Sequence, residues 1–164
     1  MTQFLGAFRD DFYNAVNVLP QSQFVAITTA LSATVLTAAQ MSGAGDCYIV
    51  ESGQTAAQTA TTDTAANIIA NLQNAVNTAW KGQTAFGSQT VVPAAGVPNL
   101  FNLTWTLTIN NQNLTAGTLT LTAGTGVTLA TAGTASATAI TFSTFALYVC
   151  AVTGPATVTL TRVQ

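Results

Sequence analysis

The sequence predicts a mainly β protein, an antiparallel β-sandwich or barrel with one interior helix and an amphipathic amino-terminal arm. Three observations predict it. After Leu100, apolar and polar residues alternate with a period of two in short runs separated by turn residues. About a fifth of the 164 residues are threonine, whose β-branched side chain suits a half-wet pleated surface. Between Asp63 and Trp80, one interior segment instead keeps the three- and four-residue spacing of a helix face. The length fits one domain, divided into an arm over 1–20 and a β-rich domain over 21–164 with its helix near 64–79.

The arm places Phe4, Leu5, Phe8, Phe12 and Val16 on one helical face, with Asp10, Asp11 and Asn14 opposite and Pro20 ending the segment. Such a stripe packs either on the chain's own core or on a neighbouring subunit. As a helix it spans about 30 Å; fully extended it reaches roughly 65–70 Å. Strands are predicted at Phe24–Thr28, Ser32–Thr37 and Cys47–Glu51, with a turn at Ser42–Asp46 and a small-residue loop over Gly53–Thr61. The helix starts near Asp63 or Thr64, either of which can cap its first turn, and carries Ile68, Ile69, Leu72 and Val76 on one face. Trp80 closes its far end, and Lys81–Asn99, with two prolines and three glycines, reads as loop.

The carboxy-terminal half is all strand and turn. Phe101, Leu103, Trp105, Leu107 and Ile109 alternate with Asn102 and three threonines, giving a strand about 30 Å long with one buried face. Asn110–Asn113 then turns the chain. Thr118–Thr122 and Val127–Leu129 flank a second turn at Gly124–Gly126. Ile140 and Phe142, then Phe145, Leu147 and Val149, mark further strands, and Val158, Leu160 and Arg162 alternate with threonine after a turn at Gly154-Pro155. Trp105, Phe142, Phe145 and Tyr148 are expected in the core.

Charge excludes much. Only 5% of residues are charged, the net charge is −2, and histidine is missing altogether. Arg9, Lys81 and Arg162 stand far apart in sequence, so phosphate neutralisation offers no basis for nucleic-acid binding. Proton transfer would fall to five carboxylates or a tyrosine, and Cys47 and Cys150 cannot build a zinc site without imidazole. The apolar run Phe24–Ala39 is shorter than the roughly 20 residues of a membrane span and is broken by hydroxyl residues. The opening also lacks the basic start of a signal peptide.

Smaller constellations are weak. Asp10 and Asp11 diverge by about 100° on a helix and share no site. Asp46 and Glu51 flank one strand but lack the carboxylate density of a calcium loop. Cys47 and Cys150 lie in predicted strands, as buried thiols or as a disulfide. Asn102-Leu103-Thr104 and Asn113-Leu114-Thr115 match the glycosylation pattern, and Gly124-Thr125-Gly126 has no following lysine or helix to make a phosphate loop. The sequence therefore points away from an enzyme and calls for no cofactor or metal.

Phe101-Asn102-Leu103-Thr104-Trp105-Thr106-Leu107 with Ile109-Asn110-Asn111, and the run Thr118–Leu129, resemble the pattern of small decoration (cement) proteins of tailed-phage capsids. Phe145, Ala156–Val163, Leu36–Gln40 and Asp63–Ile69 extend the likeness to further parts of the chain. The resemblance implies a β-rich domain with one helix, a homotrimer on the outer surface of the virion that binds the major capsid protein across adjacent subunits. It would stabilise the shell against packaged DNA, with no membrane or nucleic-acid partner. The arm and the Lys81–Asn99 loop depart from that pattern. Phe4, Leu5, Phe8, Phe12, Tyr13 and Val16 are the candidate interface to the capsid or to another subunit. The competing expectation is a fibre, spike or adhesin domain that recognises a host receptor or glycan through Gly82–Asn99 and Trp80. A carboxylate hydrolase comes last.

Overall fold

The computed structural model describes residues 23–29, 31–42, 46–80, 103–113 and 117–164. The arm, the interface candidates within it and the Lys81–Asn99 loop lie outside these residues. Among these residues, ten strands and two helices follow in the order β1 (Gln23–Ile27), β2 (Ser32–Leu36), α1 (Ala38–Met41), β3 (Cys47–Ser52), β4 (Gln58–Thr62), α2 (Ala65–Trp80), β5 (Thr104–Gln112), β6 (Leu119–Thr122), β7 (Val127–Thr131), β8 (Ala139–Ile140), β9 (Thr144–Gly154) and β10 (Thr157–Arg162).

The strands form two sheets. A six-stranded sheet has the order β1-β3-β5-β9-β10-β7, and a four-stranded sheet the order β2-β4-β6-β8. From β1 to β9 the chain enters the two sheets alternately, so each strand up to β6 lies beside the one two steps earlier. That winding makes β1, β3 and β5 mutually parallel, and likewise β2, β4 and β6. Residues far apart in sequence then share a rung, as Val25, Ile49 and Ile109 do. Among the described residues, antiparallel pairing is confined to β5 with β9, β9 with β10, and β6 with β8.

The antiparallel expectation is therefore corrected: five of the eight strand pairings are parallel. A period of two reports that one face of a strand is buried, but not which way its neighbour runs. The fold is mixed α/β, with two sheets and the expected interior helix. The small-residue loop expected at Gly53–Thr61 instead contains most of β4, whose inward residues are Gln58, Ala60 and Thr62 and so carry almost no apolar signal. Asn110–Gln112 continues β5 rather than turning the chain, and α1 is a single turn missing from the sequence reading.

Alternation decides which side chains are buried. Ile49 of β3, Leu107 and Ile109 of β5, Tyr148 of β9, and Val158 and Leu160 of β10 all bury beneath the large sheet. Leu36, Leu119, Leu121 and Ile140 meet them from the small sheet. Full burial of each large aliphatic side chain contributes about 1.5–3 kcal/mol in transfer terms, and Leu107→Ala would forfeit roughly 2–5 kcal/mol.

The helices pack on the same core. Ile68, Ile69 and Leu72 of α2 are buried, while Ala66, Asn67 and Ala70 face outward, as the predicted stripe requires. Thr64 Oγ1 accepts from Asn67 N at 3.3 Å, which fixes the predicted start. Trp105 donates from Nε1 to Met41 O at 2.9 Å and so ties β5 to α1.

Candidate interaction surface

The described ionisable side chains are largely engaged in holding the fold. Asp63 joins the two helices: Oδ2 accepts from Ala38 N at 2.8 Å, and Oδ1 from Thr64 N at 2.8 Å and Asn67 Nδ2 at 2.7 Å. Burial opposes its charge, but these three donors outweigh burial and hold the carboxyl below its ordinary 3.8. Arg162, only 8% exposed, donates from Nη1 to Ser136 O and Ala139 O and from Nε to Gln164 O. On the neighbouring strand, Tyr148 is paired with it in register and donates its hydroxyl to Ala137 O at 3.0 Å. Burial is the main influence on that phenol and pushes it up to about 12.

Glu51 is fully buried at the end of β3. Its Oε2 accepts from Asn113 Nδ2, while Oε1 has no hydrogen-bond partner among the described residues. Burial raises this carboxyl above its ordinary 4.5, against the opposing effect of Asn113. Asn113 Oδ1 accepts from Gln54 N, and Asn111 Nδ2 holds Gly117 O and Ile140 O at 2.9 and 3.0 Å. These groups knit strand ends together.

Several sequence candidates resolve against this geometry. Asp46 is exposed and bonds to Thr106 on the outer face of the large sheet, whereas Glu51 points inward from the far end of β3, so the two share no cation site. Asn113 is buried and bonded, which removes it as a glycosylation acceptor. Cys47 and Cys150 are buried thiols on β3 and β9, strands separated by β5, too far apart for a disulfide. Burial chiefly raises Cys47 to about 11 and pushes Cys150 up further. Among the described residues no three carboxylates or thiols converge.

The exposed feature is apolar. Trp105 and Tyr148 are in the core as expected, but Phe142 and Phe145 are not, being 40% and 42% exposed. On β9 the inward positions belong to Ala146, Tyr148, Cys150 and Val152, which turns Phe145, Leu147 and Val149 outward. They extend a band over the outer face of the large sheet. One rung of that band runs Phe24, Tyr48, Thr108, Leu147, with Val163 beside Leu147 through its backbone hydrogen bond. Phe24, 65% exposed, stacks on Tyr48 with ring centroids 5.7 Å apart. The next rung runs Ala26, Val50, Asn110, Phe145.

Sequence reasoning assigns these residues to strands without revealing this surface. Both faces of β9 are apolar, so alternation alone does not choose the inner one. The partial signal is Phe24, an aromatic on a strand whose alternate residues Val25 and Ile27 are also apolar.

Compared with family models, with curated proteins and with solved structures, the chain matches none.

Proposed function

We propose that this chain is a non-enzymatic structural protein of a virion shell, a capsid decoration protein that binds across major capsid subunits as a homotrimer. The observation that carries the reading is the exposed apolar band on the large sheet, on a body whose Asp63 and Arg162 are engaged in holding helices and strands together. An aromatic and aliphatic patch of this kind marks a surface used for assembly. The composition agrees: with 5% charged residues, attachment must be hydrophobic and geometric. Phe4, Leu5, Phe8, Phe12, Tyr13 and Val16 supply the attachment stripe, each buried Phe contributing about 1.5–3 kcal/mol before ordering costs. Three arms on one trimer raise the effective concentration and turn modest contacts into avid ones.

The test is cosedimentation of the purified full-length chain with tailed-phage shells across a salt series. Exposed ion pairs contribute only about 0–1 kcal/mol each, so binding should change little with salt. Deleting residues 1–21 should abolish attachment. Steep weakening with added salt, or full binding by the truncated chain, overturns the reading. Receptor recognition by a fibre or adhesin domain would leave ligand binding intact in the truncated chain.

A further inference from the structure

We infer that the outer face of the large sheet is an isologous interface between two copies of this chain, packed sheet on sheet about a two-fold axis along β5. The band on that face is symmetric about β5. Outward from β5, the rung through Thr108 has Tyr48 then Phe24 on one side, and Leu147 then Val163 on the other. A two-fold axis lying in the interface along β5 sets β3 of one copy over β9 of the other and β1 over β10. Tyr48 then meets Leu147, Phe24 meets Val163, and Val50 meets Phe145, apolar on apolar at each. Thr106 and Thr108 face their own counterparts, small enough for two sheets to approach at about 10 Å.

Charge and area favour this occupant. The one ionisable side chain on the face among the described residues, tyrosine aside, is Asp46, so little there selects a partner by charge. The five strands that overlap about this axis, β1, β3, β5, β9 and β10, span roughly 25 Å at about 4.8 Å per strand, and six residues of strand add about 20 Å. That footprint, roughened by its side chains, approaches the roughly 800 Å² per partner of a standard interface. The contact does not depend on attachment to a shell; if the chain is also threefold, the two-fold contact links one trimer to the next.

The same symmetry sets Val149 over Asp46 of the other copy, because the rung through Thr106 has Asp46 on β3 and Val149 on β9. Substitutions of opposite charge at one exposed position therefore have opposite effects. Sedimentation equilibrium of the full chain should give an even-numbered species. Val149→Glu, opposed by Asp46, should weaken self-association by more than tenfold, whereas Val149→Lys should retain or strengthen it. Asp46→Lys added to Val149→Glu should restore it, and an unchanged melting curve shows that each variant folds. A monomeric wild type, or equal effects of Glu and Lys, overturns the inference. A wild-type mass unmoved by Val149→Glu overturns it as well and points to another occupant, such as residues 1–22 of the same chain.

Discussion

Arg162 offers the sharpest test of how the interior is held together. Its guanidinium donates to Gln164 O and Ser136 O, both at 2.8 Å, and to Ala139 O at 2.6 Å. One side chain thus ties β10 to the connection after β7, at Ser136, and to the start of β8, at Ala139. Hydrogen bonds from a charged donor contribute about 1.5–3 kcal/mol each. Ser136 and Gln164 lie at the surface, where water can replace part of the loss. Arg162→Ala should therefore cost about 3 kcal/mol net, with the Ala139 carbonyl the main orphan. For a chain of this length that lowers Tm by about 6–12 °C. Arg162→Lys keeps the charge but loses the planar fork, and should cost about 1–2 kcal/mol. Urea unfolding gives the energies, and amide hydrogen exchange over 132–139 gives the location. If Arg162→Ala stays within about 0.5 kcal/mol of wild type, or exchange over 132–139 is unchanged, the clamp is refuted.

Four further perturbations probe other parts of the body. Gly126 has φ of +78°, and a Cβ there would lie 2.4 Å from Ala156 O, so Gly126→Ala should destabilise by about 2–4 kcal/mol in denaturant unfolding. Glu51 and Asp63 should give pH dependences of opposite sign. The raised Glu51 contributes stability below its ordinary 4.5 that is lost as pH rises through its folded value, so Glu51→Gln should gain on wild type as pH increases. Asp63 is lowered, so its contribution is present above 3.8 and lost as pH falls through its folded value; Asp63→Asn should flatten the acid limb. Stability measured from pH 2 to 8 checks both signs. Cys47 and Cys150, buried and protonated at pH 8, should resist a disulfide reagent until the protein unfolds, and then react together.

What the sequence made legible was each element's inner face, wherever that face was apolar and the other was not. Leu107 and Ile109 between threonines, and Ile68, Ile69 and Leu72 behind a Thr64 cap, left little ambiguity. Strand direction stayed hidden because Ile49 and Ile109 bury in the same way beside a parallel or an antiparallel neighbour. β4 stayed hidden because Gln58 and Thr62 point inward, where backbone pairing and hydrogen bonds, rather than hydrophobicity, hold them. The interaction surface escaped for the opposite reason: Phe145, Leu147 and Val149 look like core beside Tyr148, and only the pairing with β5 shows which set faces out. Alternation places Arg162 on the same face as Val158 and Leu160, but not the carbonyls of Ser136 and Ala139 that receive its guanidinium, because they come from a distant part of the chain.

The winding of the chain carries a consequence for biogenesis. Among the described residues β7 has a single sheet neighbour, β10, and β9 must slot between β5 and β10 before the large sheet is continuous. A nascent chain that has emerged only as far as Val127 has nowhere to dock that strand until Val158 has also left the ribosome. Completion of the large sheet therefore waits for β10 and should be slow, as expected when distant segments must find one another before any of them is rewarded. Translation that stops short of β10 would leave two ragged borders exposed at once, a product suited to clearance by proteases rather than to assembly.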